Sequence, residues 1–92
     1  MVASPGNILI VDDEANLRHT LTRVLQTAKY NVTAAANGTE ALQLLDSLHF
    51  DLIYLDIHLP DIGGLEVLKE IQKQSSSTPV ILFTAHASIQ SA

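Results

Sequence analysis

Cysteine is absent from this chain, and so is tryptophan. The first absence excludes disulfides, thiol catalysis and cysteine-ligated zinc. Bases are scarce too: five lysines and arginines stand against ten aspartates and glutamates, a formal charge of −5. A surface of that sign repels a nucleic-acid backbone, so direct binding to DNA or RNA is not expected. No apolar stretch is long enough to span a bilayer. Met1-Val2-Ala3-Ser4-Pro5-Gly6-Asn7 lacks the basic-then-apolar order of a signal peptide. These exclusions leave a soluble cytoplasmic protein as the expectation. Its 92 residues have room for one core and not two. With 47% apolar residues the composition is that of an ordinary globular domain.

What is present is a set of short apolar runs that end on polar, chemically useful residues. Ile8-Leu9-Ile10-Val11 leads into Asp12-Asp13-Glu14, Leu52-Ile53-Tyr54-Leu55 into Asp56, and Val80-Ile81-Leu82-Phe83 into Thr84. Unbroken apolar runs of this length suit strands of a parallel sheet buried on both faces. A weaker strand is expected over Val32-Thr33-Ala34-Ala35-Ala36.

Helical spacing fills the intervals. Leu17, Leu21, Val24, Leu25 and Ala28 form one apolar stripe on a helix of about four turns. After the Asn37-Gly38 turn signal, Ala41, Leu44, Leu45 and Leu48 mark a helix from about Thr39 to Leu48. Past Pro60 and Gly63-Gly64, residues Leu65, Leu68 and Ile71, with Val67, mark a third. His86 to Ala92 reads as the opening of a fourth. The alternation β-α-β-α-β-α-β predicts a doubly wound parallel α/β sheet in which strands one and three are central neighbours. Ligands of such sheets bind outside the carboxyl ends of the strands, at the switch point. Asp12, Asp13 and Asp56 are therefore expected to converge there.

Each acid has a plainer role open to it. Asp12 and Asp13 stand where a strand hands over to a helix, and acids there cap free N–H groups and oppose the helix dipole. Asp56 has no helix close behind it, because Gly63-Gly64 delays the next one. Carboxylates crowded into one crevice repel each other unless a cation or a proton intervenes. An all-oxygen, carboxylate-rich site open to water suits Mg²⁺, which keeps waters and bridges to phosphate oxygens. One carboxylate is then free to act as a nucleophile toward a phosphoryl group. Thr84 is either a helix N-cap or a hydroxyl donor to a phosphoryl oxygen.

Together these residues resemble the receiver domain of two-component response regulators. The match is carried by Ile8 to Glu14, by Asp51 to Gly64 (Asp51-Leu52-Ile53-Tyr54-Leu55-Asp56-Ile57-His58-Leu59-Pro60-Asp61-Ile62-Gly63-Gly64), and by Val80-Ile81-Leu82-Phe83-Thr84-Ala85. The resemblance implies a flavodoxin-like, CheY-like fold with strand order 2-1-3-4. It implies that Asp56 is the phosphoacceptor, loaded from a phosphohistidine on a sensor histidine kinase. Asp12, Asp13 and Asp56, with the backbone carbonyl of His58, would hold Mg²⁺, Asp13 most directly. Thr84 would be the switch hydroxyl, with Ala85 as its small neighbour. The chain would be no enzyme in the ordinary sense, catalysing only its own phosphorylation and dephosphorylation. His58 and His86, each two residues past a site residue, would border the path of attacking water and tune the phosphorylated lifetime.

Against that family the sequence stops one strand and one helix early, so a truncated receiver over residues 1–92 is expected. The family's lysine and aromatic switch residue then have no counterpart, and Lys29, Lys69 and Lys73 fall on helices where none substitutes. The fourth strand becomes an open edge, which invites a homodimer through the C-terminal third. The expected output domain or downstream protein lies outside this chain. An alternative from another class is a phosphorylation-impaired receiver serving as a dimerisation or kinase-docking module. A third reading, a metal-dependent phosphohydrolase with an aspartyl nucleophile, ranks below both, since such enzymes want an acid two residues after the nucleophile, where this chain has His58.

Overall fold

A computed structural model describes residues 6–74 and 77–83 of the chain. Its elements run β1 (Asn7–Val11), α1 (Ala15–Thr27), β2 (Asn31–Ala35), α2 (Gly38–Ser47), β3 (Leu52–Asp56), α3 (Gly64–Gln74) and β4 (Val80–Phe83). The strands form one sheet in the order β2-β1-β3-β4. Every pairing is parallel, with Val11 opposite both Ala35 and Leu55, and Asp56 opposite Phe83. The strand order and class are those expected. The helix expected from His86 onward lies outside the described residues.

Side-chain alternation divides the sheet into two faces. Leu9, Val11, Ile53 and Leu55 pack with Ala41 of α2, with Val67 and Ile71 of α3, and with Phe50 in one buried cluster. Ile8 and Ile10 point the other way and are also buried, on the side where α1 lies over β1 and β2. β1 is therefore covered on both faces, as its unbroken apolar run requires. β4 ends the described sheet, and its Ile81 and Leu82 are exposed.

The helices depart from expectation in four details. Val24 is 59% exposed, and no residue of α1 is fully buried. The stripe is carried by half-buried Leu17, Leu21 and Leu25 alone, because α1 packs mainly over β1 and β2 and leaves its flank uncovered. Ala28 lies past the helix as its C-cap. There the chain turns through Lys29 at φ 79°, with Lys29 N–H donating to the Gln26 carbonyl and Tyr30 N–H to the Leu25 carbonyl. This is the Schellman pattern with lysine where glycine is usual.

On α3, Leu65 is 54% exposed and the buried positions are Gly64, Val67 and Ile71. The inner stripe is thus Gly64, Val67, Leu68 and Ile71, one residue out of phase with Leu65. Asn37-Gly38, expected as a turn, is the N-cap and first residue of α2. Asn37 Oδ1 accepts from Glu40 N–H, and Glu40 Oε1 accepts from Ala36 N–H, a reciprocal box that starts α2 at this point.

Candidate functional site

β1 and β3 are hydrogen-bonded neighbours, so their carboxyl ends open into the same crevice. Asp12 follows the last residue of β1, and Asp56 is the last of β3. One carboxylate oxygen from each of Asp12, Asp13 and Asp56 lies within 4.8 Å of the others. Asp12 and Asp56 are each only 1% exposed, whereas Asp13 faces solvent.

The two buried acids leave their strands by the same local turn. Asp12 Oδ1 accepts from Glu14 N–H at 2.8 Å, and Asp56 Oδ1 accepts from His58 N–H at 3.0 Å. A short acidic side chain bonding its own backbone two residues on is the Asx-turn. Asp12 is held further by its backbone, whose N–H donates to the Ala35 carbonyl and whose carbonyl accepts from Arg18 Nη1 at 2.7 Å. At Asp56 the following Ile57 N–H donates to the Phe83 carbonyl. The capping role open to the first acids is therefore real for one oxygen of Asp12. It does not account for the second.

Asp12 Oδ2 is buried and has no hydrogen-bond partner. Burial, together with the negative charges of Asp56, Asp13 and Glu14, raises the Asp12 pKa above its ordinary value, although the Glu14 N–H bond pulls the other way. A buried carboxylate oxygen without a donor is costly, and here it belongs to a residue grouped with two further carboxylates. A divalent cation with a preference for oxygen ligands satisfies it. The donor set thus fits Mg²⁺ in its chemistry, its charge and its open, solvent-facing side.

Gly64 decides how close α3 comes to this pocket. A Cβ at Gly64 would stand 2.4 Å from the Asp56 carbonyl oxygen and 2.6 Å from Ile57 Cα. Gly63 has open space around it. Of the adjacent glycines, then, one is a steric requirement and the other only loop.

The His58 side chain is exposed beside the crevice, and its N–H is committed to Asp56. Thr84 and His86 lie outside the described residues. None of the three lysines substitutes near the acids. Lys29 lies beyond the far end of α1, a 13-residue helix and so roughly 20 Å long, while Lys69 and Lys73 pair with Glu66 and Glu70 on α3. Two residues at the rim escaped the sequence reading. Arg18, one turn into α1, reaches the Asp12 carbonyl, and its position four residues after Glu14 is a local signal. Asp61 bonds to residues 22 and 23 positions away, and nothing local marks it.

Comparison with known proteins gives one answer. The family model for the response regulator receiver domain matches residues 8–92. The regulatory protein AtoC of Escherichia coli is 40% identical over 87 residues, 95% of this chain and 19% of AtoC. The uncharacterized transcriptional regulatory protein YkoG of Bacillus subtilis is 45% identical over 84 residues, 91% of this chain and 37% of YkoG. The chain therefore spans about a fifth to a third of these curated relatives. Among solved structures, the Thermotoga maritima response regulator TrrA in complex with Mg²⁺ and BeF is 46% identical with a TM-score of 0.82, the match covering 88% of this chain and 70% of that one. TrrA in complex with the histidine kinase ThkA superposes with a TM-score of 0.81 at 44% identity, covering 94% and 74%.

Proposed function

This chain belongs to the response regulator receiver domain family, and on that premise we propose that it accepts a phosphoryl group on Asp56 from the phosphohistidine of a sensor kinase. The observation that carries this reading is the triad of carboxylates at the ends of β1 and β3, with one buried oxygen of Asp12 left unsatisfied.

Each residue then has a chemical role. An Asp56 carboxylate oxygen attacks phosphorus, the N–P bond of the donor breaks, and the departing imidazole nitrogen keeps the electron pair and takes up a proton. Bound Mg²⁺ supplies the positive charge that offsets the carboxylates and the transferring phosphoryl oxygens. Asp12, Asp13 and Asp56, with the backbone carbonyl of His58, would hold it. The His58 N–H on Asp56 Oδ1 fixes the orientation of the nucleophile. Thr84, which follows Phe83 in the sequence, would be the switch hydroxyl. The His58 side chain at the rim tunes the attack of water, so His58→Ala changes the lifetime of the aspartyl phosphate without preventing its formation.

TrrA is bound by a histidine kinase, and AtoC and YkoG are regulators far longer than this chain. By analogy the chain takes its phosphoryl group from a kinase and passes its state to an output domain or downstream protein. By the same analogy its setting is the cytoplasm; among the described residues no helix is long and apolar enough to cross a membrane. Exposed Ile81 and Leu82 on the terminal strand support self-association of two copies through the C-terminal third, and sedimentation at micromolar concentration tests that mass directly.

Intact-mass spectrometry after incubation with Mg²⁺ and acetyl phosphate decides the main proposal. The parent gains one phosphoryl group and Asp56→Asn gains none. A second reading has one specific support: no lysine among the described residues reaches the acids. If the protein binds Mg²⁺ and stays unphosphorylated, it acts as a docking or dimerisation module.

A further inference from the structure

The loop between β3 and α3 is fastened at its root and at its tip, and the tip fastening serves no purpose assigned above. At the root, Gly64 N–H donates to the Ile57 carbonyl at 2.8 Å, and the bare Cα of Gly64 lets α3 lie against Asp56 and Ile57. At the tip, both carboxylate oxygens of Asp61 are engaged. Oδ1 accepts from Gly38 N–H at 2.9 Å and from its neighbour Ile62 N–H at 2.7 Å. Oδ2 accepts from Thr39 N–H at 2.9 Å and from the Thr39 hydroxyl. Gly38 and Thr39 open α2, so a full negative charge sits at the favourable end of that helix. Behind the contact, Gly38 is pressed so close to Ile62 and Val67 that a Cβ there would lie 3.0 Å from each.

Asn37 takes the Glu40 N–H and Glu40 the Ala36 N–H, and Asp61 completes the cap at Gly38 and Thr39 from another element. What Asp61 adds is a link between two elements distant in sequence, and the element it ties down is the loop that presents the His58 peptide to Asp56. The root bond, the His58 N–H bond and the packing of Leu59 and Ile62 on the core also hold this loop, and Asp61 is what ties its tip to α2.

We propose that Asp61 is a positioning residue: by clasping the first two residues of α2 it holds the β3–α3 loop so that the His58 peptide faces the carboxylate pocket, setting the affinity of that pocket for Mg²⁺. The inference rests on the reading of Asp12, Asp13 and Asp56 as a metal site. Residues that orient metal ligands from behind typically change affinity or activity by about 10–100-fold when lost.

The test is a calorimetric Mg²⁺ titration of the parent, Asp61→Ala, Asp61→Asn and Thr39→Ala, with circular dichroism to establish that each is folded. Asp61→Ala weakens Mg²⁺ binding about 10-fold. Asp61→Asn, which retains an acceptor oxygen for Gly38 and Ile62, and Thr39→Ala, which retains the Thr39 N–H, fall between it and the parent. Phosphorylation of Asp61→Ala by acetyl phosphate is slow at low Mg²⁺ and returns toward the parent rate at saturating Mg²⁺, a recovery that general loosening of the fold does not give. Should Asp61→Ala fail to fold, the two milder variants carry the same ordering. Folded variants with unchanged Mg²⁺ affinity overturn the proposal. A parent that binds no Mg²⁺ overturns the metal site itself, and a parent that binds Mg²⁺ in an Asp61-dependent way but takes no phosphoryl group overturns only the role given to Asp56.

Discussion

Asp12 and Asp56 end neighbouring parallel strands in the same manner, each carboxylate accepting the backbone N–H two residues on. The shared turn fixes one oxygen of each acid and directs both side chains into one crevice with Asp13. Two buried carboxylates side by side are a standing electrostatic cost in the metal-free protein. A cation held as proposed would remove that cost.

If the three acids hold Mg²⁺ as proposed, the ion stabilises the fold. At a free concentration 100 times its dissociation constant, a ligand that binds only the native state adds about 2.7 kcal/mol. Thermal denaturation with and without Mg²⁺ measures this, and Asp13→Asn abolishes most of the gain. In the absence of Mg²⁺, Asp12→Asn raises stability by about 1 kcal/mol, because it removes one of the opposed charges while its side-chain oxygen still accepts from Glu14 N–H. A loss of stability in metal-free Asp12→Asn contradicts this account of the pocket.

Acid weakens the clasp on α2. Hydrogen bonds from the Thr39 hydroxyl and from the N–H groups of Thr39, Gly38 and Ile62 hold the Asp61 carboxyl well below its ordinary pKa of 3.8. A depressed native pKa contributes stability that is present above the unfolded value and lost as pH falls through the native one. Asp61 therefore contributes fully at neutral pH, and its contribution declines only below about pH 4. Urea midpoints from pH 6 downward show a shallower acid decline for Asp61→Asn than for the parent. Parallel curves for the two proteins count against the clasp.

The adjacent glycines separate cleanly. Gly64→Ala places a methyl group against the Asp56 carbonyl and Ile57 backbone, neither of which can move without displacing Asp56, and costs about 3 kcal/mol or more. Gly63→Ala meets nothing within 4 Å and changes stability by less than about 0.5 kcal/mol. Chemical denaturation of the pair is the check, and equal losses refute the assignment.

Lys29 is the one non-glycine residue with positive φ among the described residues. Left-handed backbone costs an ordinary side chain about 1–2 kcal/mol, which glycine avoids at the expense of greater freedom in the unfolded chain. Lys29→Gly at this Schellman position nets a gain of about 0.5–1 kcal/mol, read as a rise in melting temperature, whereas Lys29→Val lowers it.

Much of this was legible before any coordinates. The runs Ile8–Val11 and Leu52–Leu55 gave two central strands, and the parallel-sheet rule then brought Asp12, Asp13 and Asp56 to one end. Apolar spacing fixed the order of the three described helices. It did not fix which apolar residues face inward: Val24 and Leu65 fit a stripe by spacing but point to solvent, since a helix only buries the arc that its neighbours cover.

The amino-acid order alone settled the element sequence, the sheet class and the acidic pocket, because these follow from periodicity and from the fixed hand of β-α-β crossovers. The folded chain decided what depends on distance in space. It chose Gly64 over Gly63 as the close approach, left Asp12 Oδ2 bare, and joined Asp61 to Gly38 and Thr39. The Asp61 contact forms only when the β3–α3 loop lies against the start of α2, and the other two depend on how α3 meets the end of β3 and on what surrounds the end of β1.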